Sequence, residues 1–417
     1  MGSEAEPTAR VPLLLVAGVH ADQAARVARA ARDTDPAGTA VVHHDLREVG
    51  HGVVRRHLRH GDSEEVTALE LAHGCVSCTL REDFLPLLRR LAAAPDVRQI
   101  VVRLDSGLEP EAICWAIEHV VVDTEPVAAD VEVRAVLAAV DLPTWLDDAA
   151  GDEPLDERGL SGSPDDERTV AQIAVGQVEF ADAVVFAGQA EQWTRVRTEA
   201  VVHRLTPLAP IAELDGLDLP ALLDRVPEHA RRGRVDGPHG QLLRGQPPMD
   251  SDAGVSLLLF EEHRPFHPER LHDALDVLLQ GVVRTRGRAW VASQPDVALW
   301  LESAGGGMRV AHAGPWLAAT GDWSDVPAEQ QLKAQLNWDD EHGDRMQELV
   351  VIAHEADTGA IRHALLDALL TDDELAAGRA AWQRYPDPFG AWHEDPCEDF
   401  DETETGRESA ARDRGNQ

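Results

Sequence analysis

Short apolar runs alternate with amphipathic stretches along the first half of the chain. "PLLLVAG" leads into the Ala/Arg-rich "DQAARVARAARD", then "TAVVHHD", and after a polar interval come the helical "REDFLPLLRRLAAA" and the strand-like "RQIVVRLDSG". "VRAVLAAVD" and "ADAVVFAG" continue the series. Strands that are apolar at successive positions have both faces covered, as in parallel sheets flanked by helices. The pattern predicts an α/β doubly wound parallel sheet. Residues 147–169, "DDAAGDEPLDERGLSGSPDDERT", are acidic and rich in Gly, Ser and Pro, and predict a surface loop between strands.

A second break, "RRGRVDGPHGQLLRGQPPMDSDAG" at 231–254, predicts a domain boundary. Beyond it "VSLLLFEEHRPFHPERLHDALDVLL" reads as strand, turn and helix. "GRAWVAS", "MRVAHAG" and "QELVVIAHE" read as strands, and "DTGAIRHALLDALLTDDELAAG" as a helix. This is a smaller α+β domain whose sheet is expected to be mixed or antiparallel. The expected division is a flexible leader at 1–10, a first domain at 11–235, a linker at 236–254, a second domain at 255–392 and a disordered acidic tail at 393–417. No internal repeat is present.

Length agrees with two domains, since 417 residues exceed the size at which one core stops growing. No apolar stretch reaches the roughly 18 to 20 residues that cross a bilayer. The acidic leader is unlike a signal peptide, so the expected location is cytoplasmic. The net charge of −37 repels phosphate backbones and anionic lipid, which argues against nucleic acid or membrane partners. Basic charge is carried by arginine, and Lys333 is the only lysine.

Four cysteines form no disulfide framework, which gives weight to Cys75 and Cys78 in "ELAHGCVSCTLRED". Cys114 lies in an apolar helix and reads as core, and Cys397 lies in the acidic tail. Cys-x-x-C spacing lets two thiolates share one zinc or similar ion, with Gly74 easing the turn. Two other readings stay open. One is a pair of buried thiols at a strand-helix junction; the other is a redox pair activated by a helix N-terminus. Histidines 43, 44, 51, 57 and 60, and 263, 267 and 272, form further reservoirs of metal donors.

The first strand enters its helix through "AGVHADQAAR", where a nucleotide-binding α/β domain carries a phosphate loop. Gly18 survives as a residual cofactor-binding position. At the spacing of a phosphate loop, the second glycine, the lysine and the Ser/Thr positions hold Gln23, Ala24 and Ala25. No side chain there meets a phosphate or holds magnesium. Asp105 and Asp141 are leftover magnesium-ligand candidates or ordinary turn residues.

The order of features resembles the CobW-type metallochaperone GTPase family over most of residues 11–392. "ELAHGCVSCTLRED" is similar to its metal segment, "VVRLDSGLEPEAI" to its Walker B region, and "FADAVVFAGQAE" to its guanine-reading strand. "RPFHPERL", "RGRAWVAS", "AGGG", "GPW", "GDRMQELVVIA" and "LLTDDE" follow the order of its C-terminal domain. The resemblance implies a P-loop-NTPase-like fold, zinc as the handled ion and a metal-receiving client protein, with homo-oligomers possible.

Against the family pattern, Ser77 replaces the middle cysteine, Leu104 the Walker B glutamate, and Ala187, Gly188, Gln189 and Ala190 the guanine-reading residues. Glu70 matches the acidic residue before the metal motif, and His73 stands where Asn is more usual. The expected ligand set is Cys75, Cys78, Glu70 and His73, with GTP and magnesium not expected. Three hypotheses follow: a metal-handling protein without GTP drive, a pseudo-GTPase interaction module without metal, and an active GTPase.

Overall fold

The computed structural model describes residues 10–71, 75–163, 166–237 and 240–390. The first apolar run forms β1 (Val11–Ala17), followed by α1 (Ala21–Asp33) and β2 (Thr39–Asp45). A hairpin of β3 (Val53–His60) and β4 (Ser63–Glu70) comes next. One helical run then comprises α2 (Val76–Thr79), a π-turn over Leu80–Phe84, and α3 (Leu85–Ala92). It leads to β5 (Gln99–Arg103), α4 (Pro110–His119) and a small hairpin, β6 (Val121–Val122) with β7 (Glu125–Pro126). The domain continues with β8 (Val131–Asp141), α5 (Trp145–Ala150), α6 (Val170–Glu179) and β9 (Ala183–Ala187). It ends with α7 (Gln192–Leu205), β10 (Ile211–Glu213) and α8 (Leu219–Asp224).

The large sheet has the order β10-β9-β8-β1-β5-β2-β3-β4. From β10 to β2 neighbouring strands run parallel, as the apolar runs predict. The sheet is mixed, because β3 and β4 add to β2 antiparallel. Their sequences "VVRRHLRH" and "SEEVTALE" give no apolar signal, since β4 is an edge strand and mostly exposed. Leu14 and Val16 on one face of β1, and Leu13 and Leu15 on the other, are fully buried in separate clusters. This is the double cover of a doubly wound sheet.

The 147–169 stretch is not simply a surface loop. Its first residues belong to α5, Ala149 and Leu155 are fully buried, and Pro154 bridges to Thr169. Leu155 and Ala149 supply the apolar contacts that the acidic composition hides.

The second domain is a five-stranded antiparallel sheet of order β11-β15-β12-β13-β14. Its strands are β11 (Val255–Glu262), β12 (Val282–Trp290), β13 (Val297–Ala304), β14 (Gly307–Pro315) and β15 (Gln347–His354). Its main helices are α9 (Pro268–Leu275), α10 (Ala328–Leu336) and α11 (Thr358–Ala368). Phe266 of the "RPFHP" segment is fully buried, its N–H bonds Trp290 O on β12 and the His267 N–H bonds Ala368 O on α11, so this motif fastens α9 to the sheet and to α11.

One hydrophobic cluster crosses the boundary between the two parts. It joins Val140, Leu146, Ile173 and Val201 to Val255, Val283 and Ile352, and Leu242 of the expected linker packs into it. Glu179 at the end of α6 bonds Arg284 at 2.6 Å and Arg286 at 2.8 Å, both on β12, and Arg284 also meets Glu302. The β13–β14 turn, from the "AGGG" motif, lies against α5 and α6, with the Gly306 N–H bonding Gly151 O at 2.9 Å. Gly305 has φ +51°, and a Cβ there would strike Gly151 O and the Ala171 side chain.

Candidate metal and nucleotide sites

The C-terminal ends of parallel strands face the crevice where ligands bind in open α/β sheets. The order reverses at β1, which lies between β5 and β8. Two sequence-predicted sites fall on this edge.

At the first, β1 passes into α1 through only Gly18, Val19 and His20. The N–H groups of Gln23 and Ala24 are already bonded to His20 O at 3.0 and 3.1 Å, so they belong to the helix and do not form an open anion-binding loop. Ala24, at the position of a phosphate-loop lysine, is buried against the core. Gly18 answers to packing: a Cβ there would lie 2.9 Å from Ala139 O on β8.

Side chains above the turn bond one another. The Gln23 amide and the Thr144 hydroxyl donate to Asp141 at 2.9 Å each. His20 Nε2 lies 3.0 Å from Asp148 and 2.9 Å from the Thr144 hydroxyl, and Arg158 donates to Asp148 at 2.6 Å. The Asp148 hydrogen bond raises the His20 pKa above its usual value, with burial opposing it. Gly188, φ +81°, packs on Pro143 and Asp141, so the segment at the guanine-reading position closes onto the same network. Lys333 lies in α10 of the second domain, bonded to Glu348 at 3.0 Å.

At the second site, Cys75 is the N-cap of α2. Its extended backbone turns the sulfur onto the helix end, where it accepts the Cys78 N–H at 3.3 Å. The Cys78 thiol donates to the Cys75 sulfur, 2.9 Å away, which together with burial pushes Cys78 up to about 11. The helix is held from behind by Asp83 of the π-turn, which bonds His44 at 2.8 Å and Arg56 at 2.6 Å. Burial works against the Asp83 carboxylate, yet His44 and Arg56 keep its pKa below the usual range.

Cys75 and Ser77 open onto a cavity of about 250 Å³ that also borders Asp105, Asp166 and Arg168. Asp105 accepts the N–H groups of Leu46 and Gly107, a turn role, and burial raises its pKa. Its place on the cavity wall is what the sequence did not reveal, because β5 and the cysteine helix meet only in the folded sheet. Glu70 is exposed at the end of β4, and His73 lies outside the described residues. Among the described residues no third His, Cys, Asp or Glu joins the two sulfurs.

The histidine reservoirs disperse among the described residues. His43 and His57 are cross-strand neighbours with ring centroids 5.7 Å apart, while His44 serves Asp83. His267 packs on Tyr385, and His263 and His272 are exposed. Cys114 is buried in α4, where burial pushes its thiol pKa up and keeps it inert. Cys397 lies outside the described residues.

The family signature described as "CobW/HypB/UreG, nucleotide-binding domain" matches residues 27–213, and "Cobalamin synthesis protein cobW C-terminal domain" matches residues 255–369. A zinc chaperone of Mycobacterium tuberculosis is 45% identical over 97% of this chain and 99% of its own length. The chain belongs to the CobW family. A zinc-regulated GTPase metalloprotein activator of Dictyostelium discoideum is 26% identical over 77% of this chain and 70% of its own. A zinc-bound GTPase from E. coli of solved structure is 13% identical, with TM-score 0.36 over 87% of this chain and 100% of its own, too slight a likeness to bear on this fold. The CobW nucleotide-domain match begins inside α1, leaving β1 and the turn after it outside the matched span. No described helix is long and apolar enough to cross a membrane.

Proposed function

We propose that this CobW-family chain carries zinc on Cys75 and Cys78 and passes it to a client protein without GTP at the β1–α1 turn. The observation that carries the reading is the pair of sulfurs 2.9 Å apart at a helix N-cap, with Cys75 lining a cavity at the sheet edge. Relatives named as a zinc chaperone and a zinc-regulated activator support zinc as the cargo. Zinc takes four ligands in a closed site, so a two-thiolate platform leaves positions for His73, Glu70, water or donors of the client. Open positions favour exchange of the ion over permanent storage. Thiolate is the form that ligates zinc, so the Cys78 proton leaves when the metal binds.

Three features support the absence of nucleotide drive. The β1–α1 connection has three residues, its lysine position is a buried alanine, and Gln23, His20, Asp141 and Thr144 are engaged with one another. Direction of transfer then has to come from the client's higher affinity.

Purified protein is expected to hold about one zinc per chain, and Cys75→Ser/Cys78→Ser only background metal. Equal zinc content in the two proteins overturns the metal assignment. Titration of the same sample with labelled GTP and magnesium is expected to show no micromolar binding; a dissociation constant in that range would return the chain to the GTPases.

A further inference from the structure

One flank of α1 and the β2–β3 hairpin border a cavity of about 200 Å³. It is lined by Arg29 and Arg32 from α1, His43 and His57 from the sheet, Arg59 from β3 and Arg103 at the end of β5. In a chain of net charge −37, four guanidinium groups share this space, and Glu64, opposite Arg59 in the β3–β4 register, is the only carboxylate among the lining residues. Among the described residues Arg29, Arg59 and Arg103 have no ion-pair partner within 4.0 Å; the nearest hold on Arg103 is the Ala21 carbonyl at 3.3 Å. Asp22, Asp45 and Asp105 act on Arg103 only through space. Arg32 donates to the Gly61 carbonyl at 2.9 Å and pairs with Asp33 at 3.4 Å, and leaves its buried Nε without a partner. Burial lowers the Arg103 pKa, the response of a cation denied full compensation. His43 is held at about 3, by burial first and then by Arg103, so it is neutral at pH 7 and adds polarity without charge.

Clustered like charges repel, and the guanidinium donors of Arg32 and Arg103, which are partly buried where Arg29 and Arg59 are exposed, are costly when left without acceptors. A bound anion removes both penalties, and the planar forks of arginine match oxyanions in two-point contacts. We propose that this cavity binds a small multivalent oxyanion of the phosphate-ester or polycarboxylate type. The site is separate from the β1–α1 turn and from the cysteines, and its volume suits a pyrophosphate-sized group without an attached nucleoside.

The test is calorimetric titration of the full chain with pyrophosphate, inorganic phosphate and citrate at low salt. Pyrophosphate or citrate is expected to bind with a dissociation constant below about 1 mM, and whichever is tighter names the source of the anion. Arg29→Ala/Arg59→Ala removes two exposed side chains that the fold does not use, and is expected to weaken binding by about tenfold or more. Glu64→Gln removes the opposing carboxylate and is expected to tighten it. Cys75→Ser/Cys78→Ser is expected to leave it unchanged, which separates this site from the metal site. No binding of any of the three anions up to about 10 mM, or equal affinity in the double arginine variant, overturns the proposal.

Discussion

Glu179→Gln is expected to lower the stability of the chain by about 3 to 5 kcal/mol, because it strips Arg284 and Arg286 of a buried partner. Arg284 is only 6% exposed at its side chain and Glu179 13%, so water cannot take over the lost contacts. Burial alone pulls the Glu179 carboxyl up, but Arg284 and Arg286 outweigh it and hold it at about 2, against 4.5 for the free group. The depressed value fixes the pH dependence. The stabilisation is complete above pH 4.5 and fades as pH falls toward 2, as the folded state resists the proton that the unfolded state accepts. Urea midpoints of the two proteins should therefore lie far apart at pH 7, draw together as pH falls below about 4.5 and converge only near pH 2. A gap that stays constant over that range would mean that the loss comes from packing and not from charge.

Gly305→Val is the second large effect, expected at about 3 kcal/mol or more. Its φ of +51° already disfavours a branched side chain, and the new atoms would press on Gly151 O and Ala171 across the boundary. Relief requires the β13–β14 turn to lift off α5 and α6. The same region carries Asp148, whose bond to His20 fills the space above β1, and leads on to Asp166 and Arg168 on the wall of the cysteine cavity. The β13–β14 turn thus packs on the segment that borders both candidate sites. Limited proteolysis within residues 147–169 should accelerate in the variant along with the loss of stability. Unchanged cleavage there would show that the turn adapts without moving the domain.

The CobW resemblance was legible because it rests on an order of short segments, and the structure shows what several of them do. "RPFHP" fastens α9, and "AGGG" makes the turn that reaches the first domain. The β3–β4 hairpin was not legible, since strands with polar outer faces lack the apolar run by which buried strands are found. The helix α5 was masked by its two adjacent aspartates, Asp147 exposed and Asp148 buried against His20 and Arg158. At the candidate site, Cys75 and Cys78 could be named from their spacing together with the order of the motifs around them. The proximity of Asp105 could not, because it follows from β5 lying beside β2 in the sheet.

By itself the sequence determined the parallel strands, the two-part organisation and the cysteine pair, since these depend on local periodicity and on residues close along the chain. That position 24 is alanine is likewise a matter of identity at one position. Only the tertiary structure decided that the turn after β1 is short and occupied by neighbouring side chains. It alone brought Arg29, Arg59 and Arg103 around one cavity and joined Glu179 to Arg284. Each of these unites residues far apart in sequence, and their energies depend on burial and distance, which exist only after the strands have paired and the domains have packed.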